Sequence, residues 1–186
     1  VFFTGHGGHK RQQTYVQINN QKELIAQSEL ENLCKKQINI YDCCRSEIEE
    51  LNEAQTRFKA EAYDSVISPS LSRMEARELY EDQIQKAKSQ QLILYSCSLN
   101  EYSQDESYGA LYLTNLLKDA SKFNNCQYYG NRFKVALESH HNAAIRVKAD
   151  NRDKQNPQNP DYQATKFLNI EDYLVLSINP ARHIYR

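Results

Sequence analysis

The sequence predicts an α/β fold on a mostly parallel sheet, because short apolar runs alternate along it with longer amphipathic stretches. A second observation is the pair of capping-box signatures, Ser28 with Glu31 and Ser72 with Glu75, each standing where a helix should open. Taken in order, Val1 to Thr4 reads as a buried strand, and Ser28 opens a short helix carrying Leu30, Leu33 and Cys34. Ile38 to Cys43 is the next strand, so these segments form a strand, helix, strand crossover. Dense charge from Glu47 to about Ala62 predicts a helix, Ser65 to Ser70 a loop, and Ser72 to Lys88 a helix carrying Leu79, Ile84 and Ala87. Leu92 to Cys97 is the third strand, and helices come next at about Tyr108 to Lys122 and Asn131 to Ala149. Asp150 to Pro160, with two Asn-Pro steps, reads as a polar loop, and Tyr173 to Ile178 as a last strand that Pro180 stops.

At 186 residues and 21.7 kDa the chain has the length of one domain with a real core. It shows no internal repeat. A charged fraction of 25% and a mean hydropathy of -0.79 describe a polar surface, and no apolar run reaches the about 18 residues of a membrane span. Lys plus Arg at 23 against Asp plus Glu at 24 leave a net charge of -1, which removes the electrostatic basis for a nucleic-acid or anionic-membrane partner. The 5 cysteines are odd in number and unsuited to a disulfide framework, so a reducing compartment, the cytoplasm, is expected. Val1-Phe2-Phe3 reads as a strand cut from its upstream context, with further polypeptide expected beside it.

Reactive side chains gather at strand ends. The first strand runs out into Thr4-Gly5-His6-Gly7-Gly8, the second into Asp42-Cys43-Cys44-Arg45-Ser46. In a parallel sheet the crevice beyond the carboxyl ends of the strands is where ligands bind, so His6 and Cys44 can meet there. Imidazole is suited to take a thiol's proton near neutrality, and glycines beside it let backbone N–H groups approach a developing oxyanion. Asp42 shares the strand parity of Cys44, whereas Cys43 has the opposite parity and is expected in the packing, with Cys97 and Cys126. His9, His140, His141 and His183 read as surface or helix-face residues, and His140-His141 lacks the i, i+4 spacing of a helical metal site. The 13 tyrosines read as ring packing.

These motifs resemble the caspase-like cysteine proteases, and the metacaspase and paracaspase branch more than the animal caspases. FFTGHGG is similar to the family's base-bearing strand and turn, and INIYDCCRS to its nucleophile strand. LILYSCSLNEYSQDESYG and QNPQNPDYQ resemble two later family segments in the same order. The resemblance implies a three-layer α/β/α sandwich with a mostly parallel central sheet. The family's N-terminal strands are absent, so residues 1–186 would be the C-terminal portion of one peptidase domain. Within it, 1–45 would hold the His and Cys strands, 46–91 a helical linker, and 92–186 a small-subunit-like part.

It further implies His6 as general base, Cys44 as nucleophile, and the N–H groups of Gly7 and Cys44 as oxyanion donors. Asp42 would receive an Arg or Lys of a protein or peptide substrate, with Ser96 and some of the acids Glu101, Asp105 and Glu106 on the other wall of that pocket. Some metacaspases bind calcium near the nucleophile. The acids here, Glu47, Glu49 and Glu50, have the scatter of a solvated helix face, so neither metal nor cofactor is expected. If the enzyme matures by self-cleavage, a basic preference would direct it to Arg57, Lys59, Arg73 or Arg77, near the loop at Ser65 to Ser70. The alternative is a non-catalytic caspase-like scaffold or regulatory module in a larger assembly.

Overall fold

The computed structural model describes residues 1–19, 21–48, 70–106, 109–123, 132–152 and 155–181. Strands β1 (Phe2–Thr4), β5 (Lys36–Asp42), β6 (Gln90–Tyr95) and β10 (Asp161–Ala164) form a mixed four-stranded sheet in the order β1-β5-β6-β10. The first three are parallel, and β10 runs antiparallel to β6. Two of the four expected strands, β5 and β6, form the sheet's interior; β1, expected to be buried, is its edge strand with Phe2 54% exposed, and the last run lies outside this sheet. One strand was not anticipated: β10 lies just past the loop bracketed by Pro157 and Pro160, and only its pairing to β6 makes it a strand.

The chain does not cross from β1 to β5 through a helix, which corrects the expected crossover. Instead β2 (Gly7–Lys10), β3 (Gln13–Gln17) and β4 (Leu24–Ala26) form an antiparallel meander. Arg11 and Gln12, at φ 50° and 66°, make the two-residue turn that joins β2 to β3. Ser28 lies in a single 3-10 turn, Gln27–Leu30. Asn32, at φ 55°, breaks the chain there, and Leu33 stays 64% exposed, so no apolar face exists to carry a helix further.

Ser72 does open α1 (Arg73–Lys86): its hydroxyl accepts the Glu75 N–H at 3.2 Å while Glu75 accepts the Ser72 N–H at 2.7 Å. The helix expected from Glu47, the loop up to 69 and Cys126 fall largely or wholly outside the described residues. Next come β7 (Asp105–Glu106), β8 (Gly109–Ala110) and α2 (Leu111–Ala120). The helix expected from Asn131 begins later, as α3 (Ala136–Asp150), because Phe133–Val135 forms β9 and pairs with β11 (Val175–Ile178) outside the main sheet. No helix among the described residues is long and apolar enough to cross a membrane.

Alternation along β5 and β6 divides the core. Ile40, Leu92 and Leu94 pack with Leu111, Tyr112 and Leu116 of α2 and Ala143 and Val147 of α3. Tyr41, Cys43, Ile93 and Tyr95 face the other way, against Val16 of the meander. Between α2, β9 and α3, the 2% exposed Lys134 pairs with Asp119 at 3.3 Å and Glu138 at 3.2 Å.

His140, expected on the surface, is 1% exposed, because its turn of α3 faces α2 rather than solvent. Its Nδ1 lies 2.8 Å from the Tyr112 hydroxyl, and burial, helped by His141 and Lys148, lowers its pKa to about 3. The folded protein therefore keeps a neutral imidazole that the unfolded chain protonates below about pH 6.5. The His140 contribution is fully present above that pH and is lost as the pH falls toward 3. Urea unfolding between pH 6.5 and 5 should show stability dropping by up to about 1.4 kcal/mol per pH unit from this group. In His140→Gln, which keeps an acceptor for Tyr112, that part of the slope should vanish.

Candidate active site

Parallel pairing of β1 with β5 sets the site. Thr4 is in register with Asp42, so His6 and Cys44 each stand two positions past a paired residue, at the same edge of the sheet. Gly5 makes the turn out of β1 at φ 151°, a backbone conformation that disfavours side chains, and its N–H donates to the Asp42 carbonyl at 3.2 Å. Gly7 is required by closeness: a Cβ there would lie 2.6 Å from Cys43 Sγ. The His6 turn therefore rests directly on the strand end that carries the thiols.

Beyond β5 the loop that carries Cys44 is tied to the same turn. His9 N–H donates to the Ser46 carbonyl at 2.8 Å, and His9 Nδ1 bonds the Arg45 carbonyl at 2.7 Å. His9, expected on the surface, is thus buried, because β2 carries it against the loop after Cys44. His6 is half-buried, its carbonyl accepting the Gln17 N–H at 2.9 Å.

Three thiols lie close to the strand ends, and their environments differ. Burial pushes Cys43 well above its usual range, with Cys97 and Asp42 adding to the effect. Burial likewise pushes Cys97 up to about 12. Cys44 alone of the three is partly exposed, with Sγ 3.8 Å from the Ser103 carbonyl. Parity accounts for this: Cys43 points into the cluster with Val16 and Tyr95, as expected, while Cys44 takes the opposite face.

Asp42 shares that opposite face and is 3% exposed. Its Oδ1 accepts the Ser103 hydroxyl at 2.8 Å and its Oδ2 the Leu113 N–H at 3.1 Å. Helix α2 has no capping side chain of its own, so Asp42 supplies an anion to its first turn from a neighbouring strand.

Ser96, expected to line the pocket wall, is 0% exposed, and its hydroxyl bonds the Cys43 backbone instead. The structure therefore corrects that expectation. Glu101 spends its carboxylate on the N–H groups of Ser98 and Asn159 and on the Asn159 side chain, joining the loop after β6 to the loop before β10. Asp105 lies in β7, in register with Ala110.

Three residues without a signature of their own in the sequence complete the surroundings. Arg45, 3% exposed, has its guanidinium 3.8 Å over the Tyr95 ring, donates to Thr14 Oγ1 at 3.2 Å and to the Cys97 carbonyl at 3.1 Å, and sits 3.6 Å from Asp161. Gln158, 1% exposed, donates to the Ser96 carbonyl at 2.9 Å and accepts the Gln104 N–H at 3.1 Å. Ser103 orients Asp42. The adjacency of Arg45 to Cys44 and the place of Gln158 between two prolines were the available signals. Among the described residues no group of three His, Cys, Asp or Glu side chains is arranged to hold a metal.

The Cys44 strand end and the Gly-flanked His6 thus lie at one edge of the sheet. No curated protein matches the sequence significantly. Residues 1–168 match the family model of the caspase domain, which covers most of the chain. The mixed sheet with its parallel strands and, among the described residues, three α-helices agrees with the α/β sandwich of that domain, and the chain belongs to the caspase family of cysteine peptidases.

Proposed function

We propose that the protein is an endopeptidase of the metacaspase or paracaspase kind, cutting after Arg or Lys through Cys44 and His6. The Cys44 thiolate attacks the scissile carbonyl while the N–H groups of Gly7 and Cys44 face the oxyanion. The carbon–nitrogen bond breaks, and His6 gives the proton it took from the thiol to the leaving amine. Water then attacks the thioester, His6 takes its proton, and the carboxylate product leaves as the thiol is restored. The observation carrying this reading is the parallel register of β1 with β5, which ends both motifs at one sheet edge.

Basic specificity rests on Asp42, a carboxylate on the same strand face as Cys44 with Arg45 committed elsewhere. A substrate guanidinium must share Oδ1 with the Ser103 hydroxyl or displace it, and an acidic side chain would meet like charge. The four described cysteines are free thiols, which supports work in a reducing compartment such as the cytoplasm. At the sheet edge, Phe2 is 54% exposed, which supports pairing of β1 with further polypeptide from the same domain, as a second chain or another segment. Self-processing would fall at Arg57 or Lys59, since Arg73 and Arg77 lie within α1, whose backbone is engaged in helix bonds.

Cys44→Ala should abolish hydrolysis of Arg-containing peptides and covalent labelling by an acyloxymethyl-ketone probe, and His6→Ala should slow hydrolysis on the order of 100-fold or more. Absence of hydrolysis by the wild-type chain would leave the scaffold reading standing, and normal turnover by Cys44→Ala would remove Cys44 as the nucleophile. Asp42→Ala should lower kcat/KM on Arg peptides on the order of 100-fold more than on neutral ones, because the substrate cation loses its partner. A loss of stability with unchanged preference would reduce Asp42 to a cap for α2. Intact-mass analysis of active enzyme should show a cut after Arg57 or Lys59, and full activity of an uncut chain would remove the processing step.

A further inference from the structure

The peptide unit joining Cys43 to Cys44 is held on its carbonyl side. The Ser96 hydroxyl donates to the Cys43 carbonyl at 3.1 Å and accepts the Cys43 N–H at 3.2 Å, so one side chain grips both ends of that residue's backbone. Cys97 Sγ lies 3.4 Å from the same carbonyl oxygen. Ser96 cannot drift, because its N–H donates to the Tyr41 carbonyl at 3.0 Å and its own carbonyl accepts Gln158 Nε2 at 2.9 Å. On the far side of Cys44, the Arg45 N–H donates to the Glu101 carbonyl at 2.9 Å.

A trans peptide is planar, so the direction of a carbonyl fixes the N–H across the same bond. Fixing the Cys43 carbonyl therefore fixes the Cys44 N–H. We infer that Ser96 is a positioning residue for the reaction: its hydroxyl holds the Cys43–Cys44 peptide plane so that the Cys44 N–H meets the developing oxyanion. This rests on the proposed role of Cys44 and adds to it a residue whose hydroxyl bonds the Cys43 backbone rather than the Cys44 thiol. A preorganised donor costs no rearrangement as charge develops, and misplacing one by a fraction of its bond length weakens it where it matters most.

The test separates oxyanion chemistry from thiol chemistry, since alkylation of Cys44 by iodoacetamide forms no oxyanion. In the full chain, Ser96→Ala should lower kcat for peptide hydrolysis on the order of 100-fold with KM within about 3-fold. Alkylation at Cys44, monitored by peptide mass, should keep its wild-type rate. Ser96→Thr, which retains the hydroxyl, should recover hydrolysis to within about 10-fold of wild type.

Unchanged hydrolysis in Ser96→Ala would overturn the inference, as would hydrolysis and alkylation falling together. New alkylation of buried Cys43 and Cys97 in Ser96→Ala would trace the loss to the fold and equally overturn it. Failure of the proposed role of Cys44 would show separately, as hydrolysis persisting in Cys44→Ala.

Discussion

Along β5 every second side chain faces α2 and α3, and Ile38, Ile40 and Asp42 succeed one another on that face. The period of two does more than bury an apolar stripe: it makes the last position of a core strand a carboxylate, and the bend at Cys43 then leads into the loop that carries the Cys44 thiol. Because β1, β5 and β6 are parallel, their carboxyl ends reach one rim together, and each delivers its own segment there: the His6 turn, the Cys44 loop and the Ser96 corner. A single slip in the β1 to β5 register would take His6 away from that face.

The rim concentrates polar groups in a low-dielectric setting, and main-chain and side-chain partners together satisfy nearly all of them. Glu101 is spent on loop N–H groups, Gln158 on Ser96 and Gln104, and Asp42 on Ser103 and α2. Arg45 is a buried cation whose aromatic partner, Tyr95, sits on β6 and whose nearest carboxylate, Asp161, sits on β10. Such a network is costly to break at one member, because the partner is left desolvated. Its rigidity leaves Cys44 as the thiol of the group with access to solvent, while burial keeps Cys43 and Cys97 protonated.

What the sequence made legible was local. The Ser72 and Glu75 cap is written within four residues, and it formed; the same pattern at Ser28 failed because no apolar face came after it. The hairpin turn at Arg11 and Gln12 carries neither Gly nor Asn, so its positive φ angles left no trace in composition. Phe133 to Val135 fits a strand or a helix start equally well, and only pairing with β11 decides. His6, Cys44 and Asp42 could be picked out because strand parity and strand ends are sequence properties. Arg45, Gln158 and the true setting of Ser96 could not, since their partners come from residues 14, 43, 97, 104 and 161.

Strands β5 and β6 are neighbours in the sheet yet lie on opposite sides of the long connection that contains residues 49–69. They share a ladder from Lys36 with Gln90 to Tyr41 with Tyr95, and Leu71 and Ser70 are fastened to Pro180 and Ala181 at the far end of the chain. Severing that connection would leave every one of these bonds in place while turning an intramolecular fold into an association of two polypeptides. Its persistence would then depend on protein concentration, so the same nicked molecule would be durable in a crowded compartment and would fall apart on dilution.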